Sequence, residues 1–94
     1  MAEVVWTPRA QGDLEAIEDY YLRVAPALAD VAVAGLLAST RRLETFPLSG
    51  VAVPEIQDPA IRQVIWRDYR VIYWAERERV EVLTVLHTSR QFGS

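Results

Sequence analysis

The chemistry open to this chain starts at His87 and Arg90, which close the run V-L-H-T-S-R, with Arg62, Arg70 and Glu55 upstream. Three guanidiniums and an imidazole are the groups phosphoryl chemistry employs: cations to hold a phosphate and its transition state, a ring nitrogen to move a proton. They serve that chemistry only if they converge. All 10 basic residues are arginine, so Schiff-base, general-base and phosphate-loop lysines are excluded. Codon bias in a GC-rich genome accounts for the same absence. The chain has no cysteine, which removes disulfides, thiolate zinc sites and cysteine nucleophiles. A single histidine without further soft ligands leaves no metal site, and no cofactor is expected.

Each residue also has a plainer reading. A histidine ending a strand is commonly a hydrogen-bonded structural residue. Arg62 and Arg70 open adjacent strands and can pair with Glu55, Asp58 or Asp68 in a solvated network. Arg90 is either a contact to a target or a mobile charge in the tail. Trp66 and Trp74 pack, or serve as aromatic anchors on a half-covered sheet. Tyr20, Tyr21 and Phe46 read as packing residues, and Glu76 to Arg79 as a charged turn.

These side chains need a scaffold, and the pattern supplies one. Val4 to Trp6 is β-prone and is cut off by Thr7-Pro8, an N-cap followed by a proline at the first helical position. Ala10, Leu14, Ile17, Tyr21 and Val24 then form a helical stripe, with Asp13, Glu15, Glu18 and Asp19 expected to face water. Ala25-Pro26 breaks that helix and starts a second, expected over 27–44 with Leu28, Ala32, Leu36 and Leu43 inward. Ala34, Gly35 and Ala38 permit close approach of a neighbour. Two helices with so short a break fold back as a hairpin. Phe46 to Ala60, with Pro47, Gly50, Pro54 and Pro59, reads as a loop crossing the molecule. Ile61–Trp66, Arg70–Ala75 and Val80–His87 read as an antiparallel meander, turning at Arg67-Asp68-Tyr69 and at the Glu76–Arg79 run.

The fold class is therefore α+β in the order β-α-α-β-β-β, a helical hairpin packed on a small, mainly antiparallel sheet. In the last strand Val80, Val82, Thr84 and Leu86 alternate with Glu81, Leu83, Val85 and His87, so both faces are apolar near its end. One face takes the helices; the other calls for a partner chain as cover.

With 94 residues, the chain fits one domain, residues 1–94. Hydrophobic residues make up 51% and charged residues 24%, which argues against disorder. The N-terminus lacks a secretory pattern. The uncharged run from Val31 to Thr40 falls well short of the ~20 residues a membrane span needs. No membrane partner and a cytoplasmic location are expected. Thirteen acids against ten bases give a net charge of −3, and no basic field for gripping nucleic acid exists.

The opening V-W-T-P-R-A with Asp13-Leu14, the segment L-E-T-F-P-L-S-G from Leu43 to Gly50, Glu55-Ile56, Arg62, Y-R-V-I-Y from Tyr69, and V-L-T-V-L-H with Arg90 beyond occur here in one order. In that combination the chain, from about Val4 to Arg90, resembles the ParE/RelE superfamily of toxins from type II toxin–antitoxin modules. The resemblance implies the RelE/ParE-like fold, growth arrest, and neutralisation by a small ParD-like antitoxin whose C-terminal segment wraps the toxin. It implies a heterotetramer or larger complex with that antitoxin. RelE-like members cut mRNA on the ribosome; ParE-like members perform no covalent chemistry and poison DNA gyrase.

The residues favour the ParE branch. A RelE-like nuclease relies on lysines, and those positions are empty; what remains for RNA cleavage is Arg62, Arg70, His87 and Arg90, with Glu55 as base. A protein at −3 also approaches ribosomal phosphates at an electrostatic disadvantage. The expected function is thus a gyrase-poisoning toxin, not an enzyme, with Arg62, Trp66, Arg70, Trp74, His87 and Arg90 as its target- or antitoxin-binding residues. The alternatives are a ribosome-dependent mRNA endonuclease and a non-toxic antitoxin-binding module.

Overall fold

The computed structural model describes residues 1–92; Gly93 and Ser94, the end of the expected domain, lie outside them. The first strand, β1, spans Glu3–Trp6. Thr7 then caps the first helix by accepting from the Ala10 amide at 3.2 Å, and Pro8 opens α1, Pro8–Val24. The Thr7 hydroxyl also donates to the Val82 carbonyl at 2.9 Å, so one side chain both starts the helix and seats it on the sheet. Ala10 and Ile17 of the expected stripe are buried, with Leu14 and Tyr21 packed against them. Val24 is 57% exposed, because the stripe leaves the sheet before the helix ends.

Asp13 does not face water as its polarity suggested. It stands three residues after Ala10 and four before Ile17, on the buried stripe itself. Its carboxylate accepts from the Thr84 hydroxyl and from the Val85 amide, the latter at 3.0 Å.

The second helix is shorter than expected. Ala25, at φ −156°, interrupts the chain, and a 3-10 turn over Pro26–Leu28 precedes α2, Ala29–Arg41; another 3-10 turn, Arg42–Glu44, follows. The inward residues are Ala29, Ala32, Leu36, Thr40 and Leu43, while Leu28 lies 44% exposed. Gly35 sits directly over the Trp66 indole, where any Cβ would overlap the ring. Glycine is required there for close helix–sheet approach.

The remaining strands are β2 (Val51–Ala52), β3 (Ile61–Trp66), β4 (Tyr69–Ala75) and β5 (Arg79–His87). The sheet order is β1-β5-β4-β3-β2, with β1 parallel to β5 and the other pairs antiparallel. The expected loop thus contains a two-residue strand, too short for any periodicity to reveal. The turn between β3 and β4 is tighter than expected: Trp66 already pairs with Tyr69, and Arg67 takes φ 52°.

The face pattern of β5 also needs correction. Ile72 pairs with Thr84 and Tyr73 with Val82, leaving Leu83 as the extra residue of a β-bulge. A bulge resets the alternation, so Val85, paired with Val71, joins Val80 and Val82 in the helix-side core, while the Thr84 hydroxyl still reaches Asp13 of α1.

The opposite face is covered by the chain itself. Ile72 is fully buried, and Val53 of the 53–60 loop is only 1% exposed. On the helix side, the Gly50 amide donates to the Tyr73 hydroxyl at 2.9 Å, pinning the segment before β2. Exposed apolar side chains gather elsewhere: Leu22, Val24, Leu28 and Val31 about the helical hairpin, and Phe46 and Leu48 before β2.

Candidate functional site

Arg70, on β4, points away from the helices and is 7% exposed. Its guanidinium binds both Glu55 oxygens at 2.8 Å, the Gln63 amide oxygen at 2.9 Å and the Arg90 carbonyl at 2.8 Å. This bidentate pairing uses the planar fork of arginine in full. Glu55 also accepts from the Phe92 amide at 2.9 Å. Loop, sheet and C-terminal tail are therefore tied at one ion pair. The hydrogen bond from Arg70, followed by that from the Phe92 amide, holds the Glu55 carboxyl down at about 2. A carboxylate that acidic is a poor proton acceptor, so Glu55 is unsuited to the role of base.

Arg62 makes none of the carboxylate pairs considered for it. It donates to three backbone carbonyls, those of Pro59 at 3.0 Å, Leu48 at 3.2 Å and Gly50 at 3.0 Å. Those bonds satisfy carbonyls that an irregular loop would otherwise leave unpaired. Arg62 faces the same side as Tyr73, and His87 the same side as Tyr69. Four residues along β4 separate the two positions by about 13 Å. Arg70 occupies the other face. The groups required for RNA cleavage are thus dispersed.

His87 is exposed and ends β5, its Nδ1 within 2.8 Å of the Ser89 hydroxyl and accepting from the Ser89 amide at 3.2 Å. Its ring meets Tyr69 edge-on, with centroids 5.9 Å apart. Burial, with a smaller contribution from the Tyr21 phenol, pushes the Tyr69 phenol up to about 12, so it stays protonated at neutral pH. Arg90 donates its amide to the His87 carbonyl and is exposed, lining a cleft with Ile17, Leu86 and His87. Trp66 is half-buried under α2 with Arg67 stacked 4.8 Å above its ring, and Trp74 is half-buried on the Arg70 face opposite Glu81.

Of the six sequence-derived binding residues, His87 and Arg90 therefore share one rim. Arg62 and Arg70 hold the loop and tail, and Trp66 supports the hairpin. Sequence reasoning missed the Asp13 contact with the bulge, although its place on the helical stripe was the available signal. It also read Tyr20 as packing, whereas Tyr20 is 48% exposed and lines a notch with Tyr21, Asp68, Tyr69 and His87. Among the described residues no cluster of three or more histidine, cysteine, aspartate and glutamate side chains is arranged for a metal. No helix there is long and apolar enough to cross a membrane.

A helical hairpin on a sheet whose first strand lies parallel to its last defines a small α+β protein of the RelE/ParE-like fold. Residues 4–92 match the family described as the ParE toxin of the type II toxin–antitoxin system, parDE, and the chain belongs to that family. Among solved structures, it is similar to a chain of the chromosomal ParDE toxin–antitoxin system from P. aeruginosa. That likeness has a TM-score of 0.77 at 22% identity and covers 93% of this chain and 96% of the other. No curated protein sequence matches it.

Proposed function

We propose that this ParE-family toxin arrests growth by binding DNA gyrase and stabilising its cleaved complex, performing no covalent chemistry itself. The observation that carries the reading is the dispersal of the nucleolytic groups. Glu55 is held acidic by Arg70, Arg62 is committed to loop carbonyls, and His87 stands apart from both. What remains available is the rim of His87 and Arg90, where an exposed histidine and an exposed arginine can contact a protein surface. A cognate antitoxin neutralises the toxin. The exposed Leu22, Val24, Leu28 and Val31 are apolar surface of the kind such a partner buries on folding.

The test is a supercoiling assay with purified toxin and gyrase, run beside a primer-extension map of cellular mRNA after induction. Gyrase inhibition without codon-phased cuts supports the proposal; codon-phased cuts with unaffected gyrase overturn it. If neither appears while a co-expressed antitoxin still binds tightly, the chain is a non-toxic antitoxin-binding module. The mass of that co-purified complex tests the expected heterotetramer. Arg90→Ala should weaken growth arrest and leave antitoxin binding intact.

A further inference from the structure

The notch between the C-terminal half of α1 and the β3–β4 turn encloses about 360 Å³ and is lined by Tyr20, Tyr21, Asp68, Tyr69 and His87. Two edge-to-face pairs wall it, Tyr20 with Tyr21 at 5.4 Å and Tyr69 with His87 at 5.9 Å. Tight packing does not explain so many aromatic groups here, because Tyr20 and His87 remain exposed. Asp68 sits at the mouth. Its backbone carbonyl accepts from the Thr88 amide at 2.7 Å, and its carboxylate forms no hydrogen bond or ion pair among the described residues. The adjacent Arg67 does not neutralise it, since that guanidinium stacks on Trp66. No lysine or arginine lines the notch.

We propose that this notch is a binding site for a cationic side chain, the guanidinium or alkylammonium group of an arginine or lysine carried by a partner protein. Aromatic faces attract a cation through their quadrupoles, and Asp68 supplies a formal negative charge. A guanidinium can donate to Asp68 while lying flat against a tyrosine ring. The three tyrosines contribute ring faces and hydroxyls to such a cation. The inference rests on the notch alone and is independent of whether gyrase is the target.

The probe is the capped tripeptide acetyl-Gly-Arg-Gly-amide, titrated into the full-length toxin while the tyrosine and His87 ring resonances are followed by NMR. Its neutral counterpart carries citrulline in place of arginine. The arginine peptide should shift the Tyr20, Tyr69 and His87 signals with a dissociation constant on the order of 1 mM, and the citrulline peptide should not. Asp68→Asn keeps the turn-compatible side chain and should weaken binding about threefold to fivefold, as should Tyr20→Leu. Equal binding of citrulline would overturn the proposal, since the notch would then be merely apolar. So would undiminished binding to the Asp68→Asn protein, or no shift at peptide concentrations of about 20 mM.

Discussion

Replacing Gly35 with alanine probes the contact that sets the distance between hairpin and sheet. On an isolated helix the change is favourable by about 1 kcal/mol, because glycine carries the larger backbone entropy cost. Here the new methyl group would overlap Cε2, Cζ2 and Nε1 of Trp66. Forcing one extra carbon into a packed contact costs about 1–3 kcal/mol. An overlap with three atoms of a rigid indole falls at the upper end, so the net loss should be about 2 kcal/mol. In a domain of this size that lowers the melting temperature by about 8–16 °C. Thermal unfolding followed by circular dichroism measures it. In a Trp66→Leu background the indole is gone, and the same Gly35→Ala change should recover the helix gain and become neutral or stabilising. The reasoning fails if Gly35→Ala alone moves the melting temperature by less than about 2 °C. It also fails if the loss is equal in both backgrounds, since the cost would then not come from Trp66.

Three further outcomes are expected. Tyr73 is fully buried, and Tyr73→Phe removes the acceptor of the Gly50 amide; the unsatisfied donor should cost about 1–3 kcal/mol, with faster hydrogen exchange at Gly50. Asp13→Ala should cost about 1–3 kcal/mol by leaving Thr84 and Val85 without their acceptor, whereas Asp13→Asn, measured by the same denaturant unfolding, should retain much of it. Glu55 has a folded pKa of about 2 against an ordinary 4.5, so the unfolded chain binds its proton first as pH falls. The stability it confers is complete above about 4.5 and is lost towards 2; the gap between wild type and Glu55→Gln in denaturant titrations should close over that window.

The helix starts and meander strands were legible because each rests on local chemistry. Thr7-Pro8 announces a cap, and alternating β-branched residues announce strands. What stayed hidden was set at long range. The break at Ala25-Pro26 was announced by the proline, but the 3-10 turns that shorten the second helix at both ends depend on backbone angles that alanine and leucine do not encode. The bulge at Leu83 is fixed by Thr7 and Asp13 from the first helix region, dozens of residues away. That is why the alternation on β5 was misassigned beyond Val82. The second cover of the sheet was assigned to a partner because so short a chain has little to spare, yet the 46–60 loop supplies it. Its anchors, Arg62 on three carbonyls and Glu55 on Arg70, have no sequence spacing that signals them. For the site, the residue types were visible and their separation was not. His87 and Arg90 share a rim through the short tail turn, while Arg62 and Arg70 alternate onto opposite faces of the sheet.

The parallel pairing of β1 with β5 carries a consequence for how this toxin comes into being. Val4 lies against Val80 and Trp6 against Val82, so the first strand made must wait for nearly the last. Synthesis proceeds from the N-terminus at about 5–20 residues per second, and until β5 appears the Thr7 and Asp13 contacts have no counterpart. A nascent or truncated chain therefore cannot close its sheet, and contacts of such long sequence separation slow the final step. A chain that stops short of β5 leaves β1 without its neighbour in the sheet and the Thr7 hydroxyl without the Val82 carbonyl.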